Sequence, residues 1–71
     1  MSRPFTYVPA TGEKILGHIT DEWQPCIDIA HWCELYHRTV RKYLNYLTER
    51  GTIERMWDAN LGIHYWRRLQ A

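Results

Sequence analysis

Residues 27–53 read IDIAHWCELYHRTVRKYLNYLTERGTI, and the order of apolar, basic and turn-forming residues in this stretch decides the fold. Within residues 37–50, Val40, Leu44 and Leu47 step by four and three, the spacing that lines one face of an α-helix, while Arg38, Arg41, Lys42 and Asn45 take the other side. Gly51 follows as the residue that most easily leaves a helix in a left-handed conformation. Upstream, Ile27, Ala30 and either Trp32 or Cys33 predict a short helix from Ile27 to near Glu34 with those residues inward, and Asp28 stands where a cap or first-turn acid helps.

Outward from this stretch the period changes. Residues 52–58 and 63–69 carry Thr, Ile, Tyr and Trp in the alternation of strands, and residues 60–62 supply turn formers, which predicts a β-hairpin. Two strands alone are not stable in water, so the hairpin must lie against the helices. On the other side, Pro25 interrupts any helix and makes residues 23–26 a connection or a very short strand. Residues 12–20 predict a first helix capped by Thr11, with Ile15, Leu16 and Ile19 on one face. Residues 1–10, with Pro4 and Pro9, read as an extended arm, partly disordered near Met1, from which Phe5, Tyr7 and Val8 can dock on a domain of residues 11–71.

Composition narrows the function classes. A chain of 71 residues makes one small domain and buries only about 60% of the surface its unfolded form exposes, which excludes most multidomain enzymes. With 45% hydrophobic and 24% charged residues it has the make-up of a soluble globule. Four Trp and five Tyr fill a small core with large side chains. No apolar run approaches the roughly 20 residues that span a bilayer. Net charge of +1 exerts no global pull on an anionic partner, but the distribution does: residues 13–36 carry −4 and residues 37–48 carry +3. Cys26 and Cys33, without a signal-peptide pattern, point to reduced thiols and a cytoplasmic setting.

Chemistry finds little support. Cys26, His31, Cys33 and His37 are four soft ligands in a short span, yet there is no paired C-x-x-C knuckle and a turn between helices intervenes, so no metal is expected. A Gly-rich phosphate loop, a nucleophile elbow and a carboxylate pair next to an expected cleft are all missing, so neither catalytic residues nor cofactors are assigned and the protein is not read as an enzyme. Trp57, Tyr65, Trp66, Tyr43 and Tyr46 are read as packing residues.

Ile29-Ala30, Leu35, Thr39-Val40, Leu44, Leu47, Gly51 and Ile53 together resemble the winged helix-turn-helix pattern of bacterial and phage DNA-binding regulators, over about residues 13–69. The resemblance implies an α+β fold: a three-helix bundle with a C-terminal two-stranded wing and a short strand possible before the second helix. It departs from the pattern at Glu34, where the family often has Gly, and at Tyr36, where it often has a Ser cap, so the turn is expected to stay helical for longer.

The resemblance further implies that the helix of residues 37–50 enters the major groove of double-stranded DNA, with His37, Arg38, Thr39, Arg41, Lys42 and Asn45 facing bases or backbone. Arg suits guanine and Asn suits adenine, while Lys42 suits the backbone. Arg55, Arg67 and Arg68 of the wing are expected as lateral phosphate contacts, with Asp58 unfavourable beside them. The expected function is that of a small sequence-specific regulator of transcription or of a mobile element, working as a homodimer or in a larger complex joined through the aromatic wing or the N-terminal arm. The alternative is a winged-helix protein-interaction module without DNA binding.

Overall fold

The structure, a computed structural model, describes residues 5–69; the expectation for Met1 and the start of the arm lies outside them. Among the described residues six elements follow in order: α1 (Pro9–Gly17), β1 (Gln24–Pro25), α2 (Cys26–Cys33), α3 (His37–Glu49), β2 (Ile53–Asp58) and β3 (Ile63–Arg68). The class is α+β, three helices against a three-stranded antiparallel sheet of order β1-β3-β2. The expected hairpin therefore gains a third strand, because Gln24 and Pro25 pair with Trp66 and Tyr65.

α1 starts earlier and ends earlier than the expected residues 12–20. Pro9 stands in the first turn, where its missing N–H costs nothing and its fixed φ suits a helix, and the residue before it, Val8, is extended as pre-proline sterics require. Thr11 consequently lies inside the helix rather than capping it, and the extended arm is reduced to residues 5–8 among those described. Ile15 and Ile19 are buried as expected.

In α2 the inward stripe is Cys26, Ile29, Ala30 and Cys33, spaced by three, one and three. The helix begins one residue sooner than expected, which turns Ile27 outward at 69% exposure and leaves Trp32 at 63%, so of the two candidates Cys33 is the buried one. The α2–α3 turn does not stay helical. Glu34 adopts a left-handed conformation (φ 56°, ψ 39°), the Leu35 N–H reaches back to the Ala30 carbonyl at 3.1 Å, and the Leu35 side chain packs on the core.

That conformation costs a residue with a Cβ roughly 1–2 kcal/mol, partly offset for glycine by its larger loss of chain entropy. Glu34→Gly is therefore expected to stabilise the domain by about 0.5–1 kcal/mol, seen in a thermal melt as a rise of several degrees. A lower melting temperature for the variant would contradict the account of this turn.

Tyr36 is extended at the start of α3 and offers no side-chain cap. The buried face of α3 is Val40, Tyr43, Leu44 and Leu47, and it forms one core with Ile15, Ile19, Ile29, Cys33, Ile53 and Trp66. Gly51 ends the helix at φ 78°, with the Thr52 N–H bonded to the Leu47 carbonyl at 3.1 Å. Register sets the two sheet faces. Ile53, Arg55 and Trp57 lie opposite Arg68, Trp66 and His64, and all six share the face that packs on the helices through Ile53 and Trp66. At the hairpin tip the Asp58 carboxylate accepts the Asn60 and Leu61 N–H groups at 2.9 and 3.2 Å, so Asp58 shapes the turn.

Candidate nucleic-acid interface

His37, Arg38, Thr39, Arg41, Lys42 and Asn45 are all exposed on α3. Their grouping follows from the helical period and from the elements beside α3. His37, Arg41 and Asn45 recur every fourth residue along the side that faces the hairpin, Arg38 and Lys42 stand on the outermost side, and Thr39 shares the flank that carries Tyr43 and Tyr46. Among the described residues the one ion pair is Arg67–Glu54, so Arg38, Arg41 and Lys42 have no carboxylate partner there. Glu49 bounds the basic stripe near Lys42 and Asn45.

The arm covers the Tyr43 and Tyr46 flank. The Phe5 ring meets Tyr43 edge-on at 5.0 Å, the Tyr7 ring stacks on Tyr46 at 4.4 Å, and the Val8 N–H donates to the Tyr43 hydroxyl at 3.1 Å. Gly12 allows this approach, because a Cβ there would overlap the Tyr7 ring. Tyr43 and Trp66 are buried and Tyr46 and Tyr65 half-buried, in keeping with packing roles, whereas Trp57 is 56% exposed.

The three arginines expected from the wing part company. Arg55 faces α3 and donates from Nη1 to Asn45 Oδ1 at 3.2 Å, which joins the hairpin to the basic helix. Arg67 is on the opposite sheet face, where its Nε donates to Glu54 Oε1 at 2.5 Å and its guanidinium sits 4.3 Å from the Trp23 ring centre. Arg68 donates to the carbonyl oxygens of Ile19 and Leu16 at 2.6 and 2.7 Å, one just beyond α1 and one in its last turn. Arg67 is thus paired across the outer face and Arg68 is bonded to backbone carbonyls, so the lateral phosphate contacts expected of both would require these bonds to be exchanged.

Between α3 and the hairpin runs a groove of about 610 Å³. Its walls include His37, Arg41 and Asn45 on one side and Arg55, Trp57 and His64 on the other, and Cys26 and Ile27 contribute at the α2 end. Burial pushes the Cys26 thiol above its ordinary value, with the Arg41 guanidinium pulling it back in part, and Cys26 Sγ donates to the His37 carbonyl at 3.4 Å. Burial likewise raises Cys33, against the pull of Lys14. Both are free cysteines held in the thiol form at neutral pH. Among the described residues no three His, Cys, Asp or Glu side chains are grouped as a metal ion would require, and no helix is long and apolar enough to cross a membrane.

Sequence reading missed the groove and the exposure of Trp57. The signal was available in the alternation of β2: once Ile53 is assigned to the core, Arg55 and Trp57 must share its face and look toward α3. No protein-family model, no curated protein and no solved structure matches the chain.

Proposed function

We propose that the chain is a winged helix-turn-helix protein that binds double-stranded DNA sequence-specifically by laying α3 in the major groove, as a regulator of transcription or of a mobile element does, without performing chemistry. The observation that carries the reading is the exposed surface of α3, where three cations have no carboxylate partner among the described residues and stand beside His37 and Asn45, while Val40, Leu44 and Leu47 hold the helix from behind. Arg38 and Lys42 on the outermost side suit phosphates, and Arg41 and Asn45 suit base edges. The uncapped start of α3 leaves the first amides, with His37 and Thr39, open to a phosphate. Arg55 extends the basic surface onto the wing, formed by β2 and β3. Arg67 and Arg68 have no part in it.

The test is fluorescence anisotropy of random-sequence duplex DNA at several salt concentrations. With Arg38, Arg41, Lys42 and Arg55 on phosphates or groove edges, log affinity is expected to fall linearly with log salt at a slope of roughly −3 to −4. A flat dependence, or no binding at low salt by a folded protein, overturns the reading.

A second reading, a protein-interaction module without DNA binding, is favoured by the large apolar side chains that α2 and its following turn leave exposed, Ile27, Trp32 and Tyr36. The same surface serves the first reading as a joining surface for a homodimer, since the expected alternative, the arm, packs on its own α3 in residues 5–8. Two copies on half-sites about one helical turn apart would double the phosphate contacts.

A further inference from the structure

The groove between α3 and the hairpin has a composition unlike the rest of the surface. Among the described residues none that lines it is Asp or Glu, while Arg41 on one wall and Arg55 on the other face the same space, with His37 and His64 beside them. Such a groove suits an anionic guest by charge complementarity. The groove is also aromatic. Trp57 is 56% exposed although it lies on the sheet face that packs on the helices, and its ring neighbour His64, 4.7 Å away at 55°, is tilted rather than stacked, which leaves an indole face open to a planar guest. At about 610 Å³ the space falls within the roughly 300–1,000 Å³ of small-ligand sites, and it is half-open to solvent, so a chain can enter from the side.

Resting on the DNA reading above, we infer that this groove holds an unpaired nucleotide of a DNA strand, its base stacked on Trp57 and its phosphate against Arg55. A paired base has both faces occupied by its neighbours in the duplex and cannot lie on a side wall. An unpaired base has already lost its pairing and is stacked on one side at most, so no unpairing and little unstacking opposes its capture. The groove borders the side of α3 that carries Arg41 and Asn45, so a duplex held by α3 brings an adjoining unpaired segment to Trp57 without a second docking event. The protein then favours places where a duplex opens or ends over continuous duplex.

The experiment compares a labelled blunt duplex with the same duplex carrying a short single-stranded extension at its 3′ or its 5′ end, at one salt concentration. One of the extensions is expected to tighten binding by roughly tenfold. Trp57→Ala should abolish that gain while leaving the blunt-duplex affinity and the thermal melt unchanged, and Trp57→Tyr, which keeps a ring, should retain part of it. Equal affinity for blunt and extended duplexes overturns the inference and leaves the DNA reading intact, as does a Trp57→Ala loss that is the same for both. Free deoxyadenosine monophosphate binding as tightly as the extended duplex overturns the assignment to a strand. Failure of every duplex to bind overturns the DNA reading and this inference together.

Discussion

Leu44→Ala is expected to remove about 2–5 kcal/mol from the folded state, the usual range for deleting a buried leucine side chain. A domain of 71 residues has a total stability of roughly 4–10 kcal/mol, so the variant is expected to be marginal or unfolded at 37 °C. The size of the effect follows from where Leu44 sits. It has no exposed surface, it lies at the middle of the buried face of α3, and it belongs to a core whose members come from all three helices and from the sheet. A cavity there cannot be closed by moving α3 without dragging the α2–α3 turn, which Leu35 and the Ala30 carbonyl hold in place. Urea denaturation followed by circular dichroism gives the measurement, and Lys42→Ala, on the exposed side of the same helix, is the control expected within about 0.5 kcal/mol of the parent. Equal midpoints for Leu44→Ala and the parent would mean that α3 is not held by its rear face, and the assignment of an outward basic surface would go with it.

What could be read from the sequence was whatever depends on local periodicity. The buried stripe of Val40, Leu44 and Leu47 and the stop at Gly51 need only neighbours along the chain, and both are present within one residue of the expected bounds. The start of α1 needs the same kind of argument: Pro9 reads as part of an extended arm, but in the first turn of a helix its fixed φ and missing N–H make it a helix starter. The spacing of Ile27 to Ala30 and Cys33 predicts Ile27 inward, yet starting the helix at Cys26 gives the inward stripe to Cys26, Ile29, Ala30 and Cys33 and leaves Ile27 outside it. The fates of Arg67 and Arg68 lay beyond any local rule. Arg68 meets Ile19 and Leu16 across 49 and 52 residues of chain, and the face that Arg67 occupies is decided by the register of β3 with β2. Charge counts found the basic helix and could not distinguish a free arginine from an engaged one.

The second large effect is on sequence discrimination, and Arg41→Ala and Asn45→Ala are expected to produce it unequally. Arg41 is exposed on the side of α3 that borders the groove and, among the described residues, meets no carboxylate, so its two-pronged guanidinium is available to the O6 and N7 acceptors of a guanine. Its removal should lower the preference of the protein for its best site over a variant at that base pair by about 1–3 kcal/mol. Asn45 carries a prior engagement, since its Oδ1 accepts from Arg55. Reading an adenine with both amide groups requires that bond to be exchanged, so the gain from Asn45 is smaller than that from Arg41, and Arg55→Ala, which frees the amide, should sharpen discrimination at the adenine while weakening binding to all duplexes. Lys42→Ala should weaken binding evenly across sequences and reduce the salt slope by about one, and Arg67→Ala, on the far face of the sheet, should do neither. Selection of bound sequences from a random duplex pool, repeated with each variant, ranks these effects in a single measurement. If Arg41→Ala and Asn45→Ala return the same preferred sequence as the parent with the same spread of affinities, the bases are read by some other surface, and α3 serves at most to hold the backbone.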